Sequence, residues 1–202
     1  MTAELVVFLL KLISGANARW AGCVPEVRQR IYFANHTSHL DAAVLWSVLP
    51  PHVRVLTRPV AARDYWLKGK LRPYLATKVF NAVLIEREKI SAHDSPIDHM
   101  VDALGQSCSL IIFPEGTRSL SGETGAFKSG IYHLAKRRPD VELVPVLIDN
   151  LNRILPKGEV LAVPLLSSIS FGTPLHLLDG ETRNSFLERT RLAVLNLRLA
   201  PE

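Results

Sequence analysis

Two short segments hold side chains whose types and spacing suit proton transfer and anion binding. The first reads Asn35-His36-Thr37-Ser38-His39-Leu40-Asp41 and follows the apolar run Tyr32-Phe33-Ala34. Inside one helix, a histidine and a carboxylate five positions apart diverge by roughly 140°. If the helix begins near Ser38, His36 lies in the loop before it and Asp41 in its first turn. The carboxylate can then reach back to the imidazole, fix its tautomer and leave the other nitrogen free to accept a proton. Three other readings fit the same residues. Ser38-x-x-Asp41 resembles a capping box, although the acid there is usually Glu or Gln. His36, His39 and Asp41 could bind a metal, but no second cluster supplies further ligands. Either histidine could be an ordinary hydrogen-bonded residue.

The second segment is Phe113-Pro114-Glu115-Gly116-Thr117-Arg118-Ser119, again after an apolar run. Gly116 lets backbone approach a ligand, and Arg118 can present a fork of donors to phosphate. Glu115 could orient that arginine or hold a substrate hydroxyl. The plain alternative is a strand-ending turn with a solvated ion pair. Downstream, Lys128 in Phe127-Lys128-Ser129-Gly130 stands at an expected helix start, where a cation opposes the helix dipole. It reads either as a phosphate ligand or as a solvated side chain. Arg87 ends Val83-Leu84-Ile85-Glu86-Arg87 and, taken alone, reads as part of a charged turn. No Gly-x-Ser-x-Gly nucleophile elbow occurs, so a covalent acyl-enzyme has no evident carrier.

Short apolar runs alternate with helical patterns, which predicts an α/β sheet with its ligand site where strands end and helices begin. Strands are expected at Ile31–Ala34, Val53–Thr57, Val83–Glu86, Leu110–Phe113, Leu143–Ile148 and Ser168–Phe171. Most are nearly continuous in apolar or β-branched residues, the signature of strands covered on both faces. Helices are expected at Ser38–Leu49, Asp64–Phe80 (perturbed by Pro73), Pro96–Ser107, Lys128–Arg138 and Thr182–Leu199. The chain reads as one domain, with an N-terminal segment over 1–21 and a motif-bearing core over 31–148.

The composition points to an anionic partner. The 24 Lys and Arg outnumber the 19 Asp and Glu, leaving a net charge of +5. From Arg54 to Lys78 run seven basic residues (Arg54, Arg58, Arg63, Lys68, Lys70, Arg72 and Lys78) against one acid, Asp64, with Tyr65, Trp66 and Tyr74 between them. That mixture suits a solvated face, a lipid or acyl-carrier surface, or single-stranded nucleic acid. Two cysteines far apart, Cys23 and Cys108, give no disulfide framework and favour a reducing compartment, with Cys108 expected as a buried apolar residue. The apolar stretch Leu5–Ile13, broken at Lys11, is well short of the roughly 20 residues that span a bilayer. It also lacks the basic start and cleavage site of a signal peptide. It reads either as a helix packed on the core or as one lying in the lipid interface, with Trp20 near the headgroups.

Taken in order, His-x4-Asp, a strand-end arginine, Phe-Pro-Glu-Gly-Thr-Arg and the Val144-Pro145-Val146 strand resemble the four-motif series of the glycerolipid acyltransferases. Within that family the series is most similar to bacterial 1-acylglycerol-3-phosphate acyltransferases, and it covers about Ile31 to Ile148. The resemblance implies a single-domain, mixed and mostly parallel sheet flanked by helices, with an N-terminal helix that seats the enzyme on the bilayer. It implies that His36 deprotonates the acceptor hydroxyl and that Asp41 orients it. Arg87, Gly116, Arg118 and Lys128 would hold the acceptor phosphate, Glu115 would support the acceptor site, and Val144-Pro145 would shape the donor side. One departure stands out: family members often carry glycine several residues before the strand-end arginine, where this chain has Asn81 and Ala82.

The reaction so implied is phospholipid biosynthesis. An acyl group moves from acyl-CoA or acyl carrier protein to lysophosphatidic acid, or a related lysophospholipid, giving phosphatidic acid. It needs no cofactor beyond the thioester co-substrate and no metal. The implied setting is an anionic membrane surface on the cytoplasmic face, held peripherally or monotopically, with no nucleic acid as partner. An acceptor with another headgroup is the alternative within the family. A basic lipid- or nucleic-acid-binding module without catalysis is the alternative outside it, and a requirement for His36 separates the two.

Overall fold

A computed structural model describes residues 2–86, 95–119, 122–149 and 167–199. Among these, seven strands form one sheet: β1 (Asn17–Trp20), β2 (Arg30–Ala34), β3 (Thr57–Ala62), β4 (Val83–Ile85), β5 (Ser109–Ile112), β6 (Glu142–Asp149) and β7 (Ser168–Phe171). Their order is β1-β7-β6-β2-β5-β3-β4. Every neighbouring pair is parallel except β6 and β7, so β1 and β7 run against the other five. The central strands β2 and β5 are buried along their whole length, as the continuous apolar runs require.

Alternation along those strands divides the core into two layers. Tyr32, Ala34, Ile111, Val144 and Val146 face helices α1 (Ala3–Ser14) and α2 (Asp41–Val48). Ile31, Phe33, Leu110, Ile112 and Leu143 face α6 (Pro96–Leu104), α7 (Gly130–Arg137) and α8 (Arg183–Asn196). Between α2 and β4 lie three one-turn helices, α3 (Pro51–Arg54), α4 (Arg63–Trp66) and α5 (Leu71–Tyr74), and a π-turn over Leu75–Val79. The result is a mixed, mostly parallel sheet between two helical layers.

Several expected elements shift. The strand expected at Val53–Thr57 is a helical turn followed by β3, because Pro50-Pro51 start a turn that runs through Val53. Pro59 and Arg58 interrupt the apolar pattern of β3, yet Pro59 sits in register with Ile111. The helix expected at Asp64–Phe80 breaks at Gly69, whose φ is 77°. The edge strand β1 has the polar sequence Asn-Ala-Arg-Trp and no apolar alternation to reveal it. Cys108 is half-buried rather than buried. Asn81, in the stretch where family members often carry glycine, has φ 47°, a left-handed conformation that asparagine tolerates better than most side chains.

Helix α1 packs on the core along one side and is exposed along the other. Val6 and Val7 are buried against the α2 layer, while Leu5, Phe8, Leu9, Leu12 and Ile13 form an exposed apolar face. No helix among the described residues is long and apolar enough to cross a membrane. Trp20 does not project outward; it stacks on Phe171 with ring centroids 4.0 Å apart.

Candidate active site

The parallel strands β2 and β5 are neighbours, so the loops leaving their C-terminal ends lie side by side. His36 occupies one loop and Glu115 the other. Asn35 prepares the first loop: its side-chain amide donates to the Ile148 carbonyl at 2.9 Å, and its carbonyl accepts the Ile148 N–H at 2.8 Å. That pair continues the β2–β6 ladder one step past the strand and fixes the main chain just before His36.

Asp41 begins α2 and turns its carboxylate back over the loop. One oxygen, Oδ2, accepts from His36 Nδ1 at 2.8 Å, Thr37 N–H at 2.7 Å and Ser38 N–H at 2.8 Å. A carboxylate can only accept, so Nδ1 carries the proton and Nε2 keeps its lone pair. The ring is further fixed by stacking on Phe113 at 4.3 Å. Only part of the capping box forms. Asp41 reaches Ser38 N–H, but the Ser38 hydroxyl accepts from Leu40 rather than from Asp41. Asp41 is fully buried, and the His36 side chain is 17% exposed, so only a small part of the imidazole is open.

Glu115 is tied to backbone amides on both of its oxygens. It is buried, its Oε1 accepts the His36 N–H at 2.8 Å, and its Oε2 accepts the Gly125 N–H at 3.0 Å. It ties the loop after β2 to two stretches of the connection between β5 and α7. Ser119 N–H in turn donates to the His36 carbonyl at 2.8 Å, which pins the residue after Arg118 to His36.

Gly116 has φ 68°, and a Cβ there would lie 2.9 Å from Lys128 Nζ. The backbone turn favours glycine there, and any Cβ would also push the Lys128 side chain aside. Lys128 stands in the loop before α7, not in its first turn, and its N–H donates to the Pro114 carbonyl at 2.9 Å. Its position before the helix removes the conflict with the helix dipole. Arg118 is half-buried beside His39. Burial, and then the charges of Arg118, His36 and Arg72, hold the His39 imidazole below its ordinary value against the pull of Asp41. His39 itself stacks on Tyr65 at 5.1 Å, and Arg72 lies over that tyrosine ring at 4.5 Å.

His36, Asp41, Glu115, Gly116, Arg118 and Lys128 thus come together at the C-terminal ends of the central strands β2 and β5. Arg87 lies outside the described residues. Val144 and Pro145 are buried in mid-strand, opposite Tyr32 and Phe33, and reach the site only through the sheet. Among the described residues, no group of three His, Cys, Asp or Glu side chains is arranged to hold a metal. Sequence reasoning missed Phe113 as the platform under the imidazole, although an aromatic directly before Pro114-Glu115 was its signal. It also missed Gly125 and the Tyr65–Arg72 stack, which have no signal of their own.

Comparison with known proteins agrees with this geometry. A family model described as Acyltransferase matches residues 22–149, well over half of the sequence, and the chain belongs to that family. A "1-acyl-sn-glycerol-3-phosphate acyltransferase alpha" from Ovis aries is 28% identical over 159 residues, 77% of this chain and 53% of its own length. A "Probable 1-acyl-sn-glycerol-3-phosphate acyltransferase" from Mycoplasma pneumoniae is 30% identical over 121 residues, 57% of this chain and 42% of its own. The chain spans about half the length of the curated relatives it matches. The crystal structure of the 1-acyl-sn-glycerophosphate (LPA) acyltransferase PlsC from Thermotoga maritima superposes with a TM-score of 0.76 at 19% identity. The match covers 98% of this chain and 78% of that one, which establishes the shared fold.

Proposed function

We propose that the protein transfers a fatty acyl group from acyl-CoA or acyl carrier protein to the free hydroxyl of 1-acylglycerol 3-phosphate, yielding phosphatidic acid. The observation that carries this reading is the 2.8 Å contact from His36 Nδ1 to Asp41, which in the neutral imidazole leaves Nε2 as an acceptor. Nε2 takes the hydroxyl proton as the acceptor oxygen attacks the thioester carbonyl carbon. The tetrahedral intermediate collapses with cleavage of the C–S bond, and the imidazolium returns the proton to the leaving thiolate. Arg118 and Lys128, with Arg87, hold the acceptor phosphate. The names of the relatives support this choice of acceptor. The exposed apolar face of α1 supports residence at a membrane surface, where its leucines and Phe8 enter the headgroup boundary.

The test is an assay of the purified protein with lysophosphatidate and each thioester donor, followed by mass spectrometry of the lipid product. Phosphatidate should form, and a folded His36→Ala variant should lose about a hundredfold or more in turnover, the lower range for removing a general base. His39→Ala should be much milder, since His39 packs on Tyr65 rather than on Asp41. Absence of phosphatidate with both donors would remove the proposal, as would near-normal turnover in His36→Ala.

A further inference from the structure

Helix α8 follows all the segments that hold the site, and its Arg191 reaches back to them. Arg191 Nη2 donates to the Thr124 carbonyl at 3.1 Å, and Nε donates to the Thr124 and Gly125 carbonyls at 3.3 and 3.1 Å. Nη1 leans toward Glu188 at 3.4 Å on the same helix. The Thr124 carbonyl and the Gly125 N–H belong to one peptide group. That N–H is the one that donates to Glu115 Oε2, and the other oxygen of Glu115 receives the His36 N–H. One amide therefore lies between a guanidinium on its oxygen side and a carboxylate on its nitrogen side. Each charge polarises the amide in the direction that strengthens the other contact.

Two further observations show that this peptide is held for a purpose. A Cβ on Gly125 would lie 3.0 Å from Glu115 Oε2, so a larger residue would press on the carboxylate. Glu115 is buried and has no cation in salt-bridge contact among the described residues, so oriented amides carry its stabilisation. Loss of the Arg191 fork would free the Thr124–Gly125 peptide to rotate and would weaken one of the two amides on the carboxylate.

We infer that Arg191 is a positioning residue for acyl transfer, acting through the Thr124–Gly125 peptide and Glu115 on the main chain of His36. This rests on the proposed role of His36 as base, but the hydrogen-bond series can be read without any turnover. The experiment compares wild type, Arg191→Gln and Arg191→Lys in two measurements. The first is amide hydrogen exchange resolved at His36 and Gly125. In Arg191→Gln both amides should exchange about tenfold faster or more, while amides in β2 and β5 keep their protection. The second is steady-state kinetics with lysophosphatidate and with an uncharged monoacylglycerol. Turnover should fall about ten- to a hundredfold on both acceptors, the span expected for a charge-assisted hydrogen bond. The Michaelis constants should stay nearly unchanged, because the base is displaced and the phosphate ligands are not. Arg191→Lys should recover part of both effects, since it keeps the charge and loses the fork.

Unchanged exchange at His36 and Gly125 in Arg191→Gln would overturn the inference. So would faster exchange across the whole sheet, which marks Arg191 as a support of the fold only. If Arg191→Gln does not fold, Arg191→Lys carries both measurements, and wild-type values for that variant in both would overturn the inference equally. A wild-type protein with no acyltransferase activity would refute the proposed reaction, while the exchange result would still decide the hydrogen-bond series.

Discussion

Replacing Asp41 with asparagine separates the two services that its carboxylate gives to His36, orientation and charge. In the native site Oδ2 accepts three donors, His36 Nδ1–H, Thr37 N–H and Ser38 N–H, at 2.7 to 2.8 Å. An asparagine has one oxygen and one NH2 to place. The NH2 group at the Oδ2 position would face two backbone N–H donors and orphan them, at about 1–3 kcal/mol each. The oxygen therefore takes that position, still accepts from Nδ1, and keeps the imidazole in the productive tautomer. What is lost is charge. A hydrogen bond to a charged group contributes about 1.5–3 kcal/mol, and two unit charges ~4 Å apart at an effective dielectric of ~20 attract by about 4 kcal/mol. The imidazolium formed in the transition state should be destabilised within those limits, so kcat should fall about ten- to a thousandfold.

Alanine at 41 removes both services. Thr37 and Ser38 N–H lose their acceptor, costing about 2–6 kcal/mol of stability, and the ring is no longer oriented. The turnover loss should approach about 10⁴-fold, the upper range for general base catalysis. Asparagine should cost less stability, about 1–3 kcal/mol, because its NH2 falls where Oδ1 is buried without a partner. The assay is kcat on lysophosphatidate with a fixed donor, beside urea unfolding of each variant. Equal losses of kcat in the two variants would refute the argument that the two amides select the oxygen. Full activity in Asp41→Asn would mean that no charge develops on His36.

Three further outcomes follow from other parts of the structure. Arg118→Ala should raise the Michaelis constant for lysophosphatidate about ten- to a hundredfold and leave an uncharged monoacylglycerol nearly unaffected, with Arg118→Lys intermediate; equal loss on both acceptors would assign Arg118 to the fold. Phe8→Glu with Leu12→Glu should release the protein from anionic vesicles at unchanged thermal stability, because those side chains are 62% and 66% exposed; removal of the whole helix is a poorer test, since Val6 and Val7 would leave the core. Burial raises the pKa of Glu142, but its hydrogen bonds to Arg30 and Arg28 prevail and hold it below the ordinary 4.5. Its ionised form therefore stabilises the fold above that value, and the contribution disappears as pH falls through the lowered one. Glu142→Gln should melt below wild type at neutral pH, and the gap should narrow as pH falls below 4.5; a gap independent of pH would refute the coupling.

The elements legible in the sequence are those whose burial is uniform. β2, β5 and β6 are covered on both faces, so nearly every residue is apolar and each run announces itself. β3 is displaced in the sequence reading because Arg58 and Pro59 fall inside it, and a proline ordinarily argues against a central strand. β1 is invisible because it lies at the sheet edge and carries Asn17 and Arg19, which bury little apolar surface. Helix starts fail in a related way. The helix after His36 begins three residues later than Ser38, because Asp41 spends its carboxylate on Thr37 and Ser38 amides and so holds those residues in a turn.

The site divides along the same physical line. The groups to which the proposed reaction assigns chemistry lie within short segments, so residue type and spacing expose them: His36 and Asp41 are five positions apart, and Gly116 and Arg118 two. The groups that hold them in place act across the fold. The His36 amide meets Glu115 over 79 positions, Asn35 meets Ile148 over 113, and Arg191 meets Thr124 over 67. Such contacts leave no periodicity and no local pairing in the sequence; they exist only once β2 lies between β5 and β6. Glu115 shows the consequence. Its type and its place before Gly-Thr-Arg suggest a ligand for substrate, and only the neighbouring loop from β2, with an amide aimed at Oε1, reveals that it also holds the His36 main chain. A carboxylate in a motif is thus a statement about where charge is placed, and the backbone around it decides whether substrate or protein receives it.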